Sequence, residues 1–189
     1  MRNLVYYVAT TLDGFIARPD GSFHEFPWDD AFGAHLMSTW PETFPAQFRQ
    51  DHGPNRRFDT VLMGRATYEV GLRAGVASPY PTLRQYVFST TLEESPSEEV
   101  TLISADAEEH VRALKNEEGM DIWLCGGGRL AADLHAAGLI DEFILKVNPI
   151  LFGRGIPLLD GASTGEALEL RDIQRFDSGH TIQRLRVPR

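Results

Sequence analysis

The chain has 189 residues, of which 42% are hydrophobic and 24% are charged. This length fits one domain, and the composition is that of an ordinary soluble globular protein, which excludes a disordered chain, a coiled coil and a membrane span. The net charge of -9 disfavours general binding to nucleic acid or to an anionic membrane, because both partners require a basic face. An anionic ligand therefore needs a local positive site.

Neither a signal peptide nor a transmembrane helix is predicted, because the sequence has no basic-then-apolar start and no apolar stretch of about 18 residues. The single cysteine, Cys125, cannot build an internal disulfide framework. The six histidines show no metal-ligand spacing, so no metal site is predicted. We therefore predict one domain over residues 1–189, located in the cytoplasm.

The first half of the chain alternates hydrophobic strands with polar loops. We first predict a strand over 3–11, a turn at Asp13-Gly14, an irregular loop over 19–30 and a helix over about 30–39 capped by Asp29 or Asp30. A further helical stretch follows Pro45, and a loop spans 52–55. Next come a strand over 60–63, a helix of one to two turns from Arg65 and a loop over 75–82. Three aromatic residues in the loop over 19–30 suggest that this loop covers another part of the molecule.

The second half continues the alternation and ends in two consecutive strands. We predict strands over 85–89 and 100–104, a helix over about 107–117 capped by Asp106, a strand over 121–125, a helix over 129–137, a strand over 142–148, and a hairpin of strands over 167–176 and 181–187. Strands alternating with helices and closed by a hairpin predict an α/β fold whose sheet is mostly parallel, with an antiparallel edge.

The strongest functional signal is the segment from Ile122 to Leu130, in which a buried strand runs into three glycines at the start of a helix. Glycines let a ligand approach the backbone, and the free amides and dipole of a helix N-terminus favour an anion such as a diphosphate. A tight strand-to-helix turn is the structural alternative. Because two glycines would be enough for a turn, the third favours a ligand site.

A second junction of this kind spans Thr60 to Glu69, where the strand breaks at Gly64. Arg65 and Thr67 would place a guanidinium and a hydroxyl beside the first amides of the helix, an arrangement suited to phosphate. The alternative is that Thr67 caps the helix and Arg65 is a solvated surface charge. Two such junctions in one small sheet support a dinucleotide, which has an extended diphosphate to hold.

A conventional Rossmann domain is the obvious competitor. The segment Gly126-x-Gly128-x-x-Ala131 matches its glycine fingerprint in a loose form. That fingerprint belongs to the first strand–helix–strand unit of its domain, with an acidic residue about 20 positions further on. Here it lies two thirds along the chain, and too little sequence follows to complete a doubly wound domain, so the Rossmann assignment fails.

Four segments together resemble the dihydrofolate reductase-like family, which includes the reductase domain of the bifunctional riboflavin-biosynthesis deaminase/reductase. They are Leu12 to Ala17, Val61 to Glu69, Gly126 to Leu130 and Pro149 to Leu158, and their order and spacing agree over nearly the whole chain. The resemblance implies a three-layer αβα fold around a mixed sheet. It also implies NADPH as hydride donor, a pterin-like or flavin-precursor-like heterocycle as acceptor, and a homodimer, for which the closing hairpin offers an edge.

The resemblance also implies where the cofactor binds. Gly64, Arg65 and Thr67 would serve its phosphates and adenosine end, whereas Gly126, Gly127, Gly128, Arg129 and Leu130 would line its diphosphate. Residues Ser89, Thr90 and Thr91 match positions around the 2′-phosphate in relatives; taken alone, their hydroxyls are more typical of turn caps.

The acids expected for proton transfer are absent. Gly33 falls near the position of the folate-reductase acid, and Leu124-Cys125 replaces the substrate-contacting glutamate of the riboflavin-pathway reductases. Asp13 is therefore the candidate catalytic residue, because the loop after the first strand borders the nicotinamide site in this family; a turn-forming Asp-Gly pair is its structural alternative. Hydride transfer needs alignment and no protein nucleophile, so the missing acids do not exclude reduction.

Two aromatic residues, Trp28 and Phe152, are candidates for stacking on a flat substrate, with core or lid packing as the alternative. The preferred hypothesis is thus an NADPH-dependent reductase that acts on a small heterocycle. The rival hypothesis is a non-catalytic dinucleotide-binding or sensing module, motivated by the missing acids.

Overall fold

The computed structural model describes residues 1–49, 53–161 and 165–188; His52, in one predicted loop, lies outside them. Ten strands are present: β1 (Leu4–Thr11), β2 (Phe15–Ala17), β3 (Phe58–Gly64), β4 (Arg84–Phe88), β5 (Val100–Ile103), β6 (Asp121–Gly126), β7 (Glu142–Asn148), β8 (Ile156–Pro157), β9 (Glu169–Arg175) and β10 (Thr181–Arg186). The α-helices are α1 (Asp30–Thr39), α2 (Arg65–Arg73), α3 (Ala107–Asn116) and α4 (Gly128–Ala136).

These elements follow the predicted order, with local corrections. The Asp29 carboxylate accepts a hydrogen bond from the Phe32 amide (2.8 Å), which confirms it as the cap of α1. The predicted capping by Asp106 is wrong: this residue precedes α3 with a left-handed backbone (φ 51°), in place of the extended conformation usual for a cap, and its side chain makes no capping bond. Around Pro45 the chain forms two 3-10 turns, and α2 is longer than the predicted one to two turns.

The main sheet has eight strands in the order β5-β4-β3-β6-β1-β7-β10-β9. The pairs among β5, β4, β3, β6, β1 and β7 are all parallel, and the hairpin of β9 and β10 adds antiparallel to β7. The predicted sheet, mostly parallel with an antiparallel C-terminal hairpin, is therefore confirmed. The short strands β2 and β8, which were not predicted, form a separate antiparallel pair.

Helices cover both faces of this sheet. On one face, Phe32 and Leu36 of α1 and Tyr68 of α2 pack against alternate residues of the central strands; on the other face, residues of α3 and α4, such as Val111 and Leu134, do the same. The central parallel strands are buried on both sides, as their almost continuous hydrophobic sequence requires. This arrangement gives the three layers αβα.

The outer strand β9 carries an exposed edge. Its side chains include Leu170 and Ile173, which are 57% and 40% exposed. An unpaired edge of this kind is able to add a strand from another chain. The homodimer implied by the resemblance stays a prediction.

Two further properties hold for the part of the chain that the structure describes. None of its helices combines the length and the apolar character that crossing a membrane requires. Its His, Cys, Asp and Glu side chains form no group of three or more that could hold a metal ion.

Candidate functional site

A groove with a volume of about 650 Å³ runs along the edge where the parallel strands β3, β4 and β5 end. Carboxyl ends of parallel strands are the usual ligand-binding edge of an open α/β sheet. Eight of the eleven predicted cofactor residues line this groove: Gly64, Arg65, Ser89, Thr90, Thr91, Gly127, Arg129 and Leu130. The fold thus brings together segments that are more than 60 positions apart in the sequence.

The two glycine junctions lie against each other at this edge, with the main chains of Gly64 and Gly127 in contact. A Cβ atom built on Gly127 would lie 3.5 Å from the Cα of Gly64, and one built on Gly64 would lie 3.7 Å from the Cα of Gly127. Gly127 also has φ +101°, a backbone conformation that favours glycine. Because neither residue has a side chain, the two main chains approach closely at the head of the groove.

Both helices that start here have uncapped N-termini. Gly64 precedes α2 and Gly127 precedes α4, and no side chain caps either helix. The alternative in which Thr67 caps α2 is therefore wrong. The first amides of both helices keep their hydrogen-bonding capacity, and the positive ends of the two helix dipoles lie close together, which favours an anionic ligand.

The other two glycines have packing roles. The Cβ position of Gly126 lies 3.2 Å from the Thr67 hydroxyl oxygen, so this glycine brings α2 against the end of β6. A Cβ on Gly128 would lie 2.3 Å from the Pro157 carbonyl oxygen, in the segment where the Asp160 amide bonds to the Gly128 carbonyl (3.0 Å). Close packing against Pro157 thus explains why the third residue of the triplet is glycine. Its presence is therefore no longer an argument for a ligand site.

Two arginines stand at the groove, each paired with an acid one turn along its own helix. The Arg65 guanidinium lies 3.0 Å from the Glu69 carboxylate, and that of Arg129 lies 3.5 Å from the carboxylate of Asp133. Exposed pairs of this kind contribute little to stability. Both guanidinium groups are therefore free to exchange these partners for a phosphate at small cost.

The hydroxyl residues after β4 divide into two kinds. The Ser89 hydroxyl accepts bonds from the Thr91 and Leu92 amides (3.2 and 2.9 Å), so it caps its own turn, whereas Thr90 and Thr91 are exposed on the groove. The sequence analysis missed the opposite wall, which residues 104–107 form after β5. The parallel pairing of β4 with β5 was the signal that would have placed them there.

The sheet opens next to the groove, between β1 and β6. Their pairing ends at Tyr6 and Leu124, although β1 remains paired with β7 as far as Thr11. Beyond that point, the Tyr7 carbonyl accepts a hydrogen bond from the Trp123 indole (2.9 Å) in place of a strand partner. We refer to this interruption of the strand pairing, which precedes the glycine junction on β6, as the cleft between β1 and β6.

Asp13 lies in the turn after β1 and holds the segment that follows β7. Its carboxylate accepts bonds from the Thr11 hydroxyl (2.5 Å), from the Gly153 amide (2.6 Å) and from the Phe152 amide (3.1 Å). These bonds, chiefly that from Thr11, lower the pKa of Asp13 to about 2. A carboxylate that is ionised and fully engaged near neutral pH favours the structural role; the catalytic assignment stays a prediction.

We expect the contribution of Asp13 to stability to disappear in acid. Because its pKa is about 2 in the folded protein against 3.8 as the ordinary value, the stabilisation is complete above about pH 4 and is lost as the pH falls towards 2. Urea midpoints of the wild type and of Asp13→Asn should therefore differ at pH 6 and converge near pH 2. A constant gap over that range would contradict the assignment, and Asp177→Asn, in the exposed turn between β9 and β10, serves as the control.

The two predicted substrate-stacking residues differ in availability. Trp28 is 59% exposed, and its ring lies on α1 where Gly33 leaves room: a Cβ there would be 2.2 Å from the indole. Phe152 is only 6% exposed, because Phe26 stacks on its ring (5.3 Å) and the Arg18 guanidinium lies 4.1 Å from the ring centre. Packing therefore accounts for Phe152, whereas Trp28 keeps a free surface; both substrate roles stay predictions.

Comparison with known proteins gives relatives over nearly the whole chain. The uncharacterized Bacillus subtilis protein YwjB is 33% identical over 182 residues, which cover 96% of this chain and 95% of YwjB. A second uncharacterized B. subtilis protein, YyaP, is 29% identical over 189 residues, covering 94% of this chain and 91% of YyaP.

Solved structures show the same architecture. A Shewanella sp. PV-4 protein described as a riboflavin biosynthesis protein matches with a TM-score of 0.73 and 26% identity, over all of both chains. A Thermotoga maritima diaminohydroxyphosphoribosylaminopyrimidine deaminase/5-amino-6-(5-phosphoribosylamino)uracil reductase matches with a TM-score of 0.67 and 16% identity, over 99% of this chain and 57% of that one. These likenesses confirm the dihydrofolate reductase-like fold.

A match to a family model shows the family to which the chain belongs. The model of the RibD C-terminal domain matches residues 2–182, which include both glycine junctions and the cleft between β1 and β6. The chain therefore belongs to the RibD C-terminal domain family.

Proposed function

We propose that this protein is an NADPH-dependent reductase that transfers a hydride to a small pterin-like or flavin-precursor-like heterocycle. The observation that carries the proposal is the meeting of two uncapped helix N-termini at Gly64 and Gly127, at the head of one groove. Membership of a family of reductase domains supports the same reaction class.

The groove fits the phosphate-bearing part of such a cofactor. Its volume lies within the range of ligand sites, about 300 to 1,000 Å³. The amides that begin α2 and α4 would bind the diphosphate, because they lack other partners and their helix dipoles favour negative charge. The Arg65 guanidinium and the hydroxyls of Thr90 and Thr91 would hold the 2′-phosphate, since charge-assisted bonds to phosphate are strong.

The cleft between β1 and β6 fits the reacting end. When bound, NADPH supplies a hydride from its nicotinamide ring. The strand ends on either side would position that ring, and the exposed indole of Trp28 would contact a flat acceptor. Positioning of two rings in contact is the main catalytic requirement of such a transfer.

One observation favours a second candidate, a dinucleotide-binding module without turnover. The Asp13 carboxylate is ionised near neutral pH and bound to neighbouring groups, so it is a poor proton donor. A module of this kind would bind the nucleotide at the same groove and reduce nothing.

Two measurements test the proposal. Titration of the purified protein with NADPH and with NADH, followed by nicotinamide fluorescence, should show saturable binding with a preference for NADPH. Incubation with NADPH and a panel of pterins, flavins and quinones should then show oxidation of the cofactor with at least one acceptor.

The outcomes separate the alternatives. Binding followed by oxidation supports the reductase, whereas binding without oxidation of any acceptor supports the module. If neither nucleotide binds, both candidates are wrong.

A further inference from the structure

Lys146 occupies an unusual place for a lysine, in the middle of β7 and on the inner side of the sheet. It pairs with Ala9 on β1 and with Ile182 on β10. Its amine lies 4.1 Å from the centre of the Tyr7 ring, which belongs to the core beneath α1. The side chain is partly exposed, as is Ala9, although Tyr7 and Ile182 are buried.

Three ionisable groups of this core, Tyr7, Tyr80 and Cys125, are neutral at physiological pH. Burial raises the pKa of the Cys125 thiol to about 11, and burial together with the nearby Glu42 carboxyl raises the pKa of Tyr7 well above its ordinary value. Burial has the same effect on Tyr80, whose hydroxyl lies 3.8 Å from the Cys125 sulfur. These three groups therefore provide no counter-charge for the Lys146 amine.

The Lys146 amine has N–H groups that are available for hydrogen bonding. Across residues 1–49, 53–161 and 165–188, it makes no hydrogen bond and no ion pair; it lies over the Tyr7 ring face and interacts electrostatically with Cys125. Burial lowers the pKa of Lys146 to about 8, which leaves most molecules protonated at neutral pH but able to release the proton. By contrast, Lys115, the other lysine, bonds to the Leu139 carbonyl and to Asp141.

The position of Lys146 relates it to the cleft. Tyr6 pairs with Leu124 on one side and with Phe143 on the other, so these two residues lie at the same level along the sheet. Gly127 and Lys146 each lie three positions further along the chain. The glycine turn and Lys146 therefore lie on opposite sides of β1, both beyond the level at which β1 and β6 stop pairing.

We propose that Lys146 is the proton donor of the reductase, and that its amine protonates the heteroatom of the C=N or C=O group that the hydride reduces. The inference rests on the proposed function and names a further catalytic residue of the same site. A protonated amine that makes no hydrogen bond within the described residues can donate to an electron-rich ligand atom.

The reaction then balances. The hydride forms a bond to the carbon of the C=N or C=O group, and the π electron pair moves to the heteroatom. That atom takes a proton from Lys146 Nζ, which becomes a neutral amine and regains a proton from water, while NADPH becomes NADP⁺. General acids placed in this way contribute about 100-fold to 10,000-fold to the rate.

Chemical rescue tests the proposal, with the panel acceptor that the wild type reduces fastest. Lys146→Ala should lower kcat about 100-fold or more while the Kd for NADPH stays within about twofold. Added methylamine should restore part of the rate, because it fits the space that the side chain vacated. Lys146→Met is the matched control: it fills that space without an amine, so methylamine should have no effect on it.

Two further readouts distinguish a proton donor from a structural residue. Wild-type kcat/KM should fall as the pH rises through about 8, where the amine loses its proton, and this limb should be absent in Lys146→Met. Acetylation of Lys146 by acetic anhydride, followed by peptide mass spectrometry without NADPH, should be slowed by the acceptor, while acetylation of Lys115 should not change.

The outcomes also separate this proposal from the proposed function. Unchanged turnover in Lys146→Ala, or a loss that methylamine does not restore, overturns the role of Lys146 and leaves the reductase standing. Absence of NADPH binding by the wild type overturns the proposed function itself. If no acceptor protects Lys146 from acetylation, Lys146 does not face the acceptor and its assigned role is wrong even when NADPH binds.

Discussion

Replacing Asp141 by asparagine should lower the free energy of unfolding by about 3–5 kcal/mol, because it leaves a buried ammonium without its counter-charge. Asp141 and Lys115 form an ion pair whose side chains are only 9% and 5% exposed. The same carboxylate accepts a bond from the Leu4 amide (2.7 Å), and the Lys115 amine donates to the Leu139 carbonyl (2.6 Å). The pair therefore ties the starts of β1 and β7 to the end of α3.

Urea denaturation at pH 7 measures this effect. Glu108→Gln is the matched control, because it removes the carboxylate of an exposed pair with Arg112 and should cost less than about 0.5 kcal/mol. Adding Lys115→Met to Asp141→Asn should recover part of the loss, since the unpaired charge is then removed. A cost below about 1 kcal/mol for Asp141→Asn would show that the buried charge finds another partner.

Replacing Arg65 by alanine should weaken NADPH binding about tenfold to a hundredfold and change NADH binding much less. A charge-assisted bond to phosphate contributes roughly 1.5 to 3 kcal/mol, and only NADPH carries the 2′-phosphate. The competing pair with Glu69 is exposed, so breaking it costs about 0.5 kcal/mol or less. The net loss on removing the guanidinium is therefore close to the full phosphate contact.

Arg112→Ala is a suitable control for this titration. Arg112 forms the same kind of helical pair, with Glu108, and its side chain is 52% exposed against 51% for Arg65. Arg112 does not line the groove, so its replacement should leave both dissociation constants unchanged. Equal weakening of NADPH and NADH in Arg65→Ala would place that side chain at the diphosphate instead of the 2′-phosphate.

Local sequence signals were sufficient for most elements and for the position of the groove. Both junctions were predicted from apolar strands that end in glycine, at Gly64 and Gly126. Glycine is informative at a strand-to-helix turn because it permits backbone conformations and close approaches that a side chain would prevent. Order along the chain did not reveal that β6 would insert between β1 and β3, although this pairing brings the two junctions together. Sheet order depends on contacts distant in sequence, which local patterns do not contain.

Side-chain roles were harder to predict for the same reason. The third glycine of the triplet pointed to a ligand, yet Gly128 is explained by the approach of Pro157, 29 positions away. Lys146 gave no local signal, because a single charged residue in a strand is normally assigned to the solvent side. Only the packing of Tyr7 shows that it faces inward.

The back-to-back contact of Gly64 and Gly127 has an evolutionary consequence. Under the proposed function, recognition at this contact would use main-chain amides, so the nucleotide would constrain two positions without side chains and leave the surrounding residue types free to change. In a chain built in this way, many of the residues that face the acceptor can be substituted while nucleotide binding is retained. Such a scaffold is suited to diversification of substrate choice from a constant source of reducing equivalents.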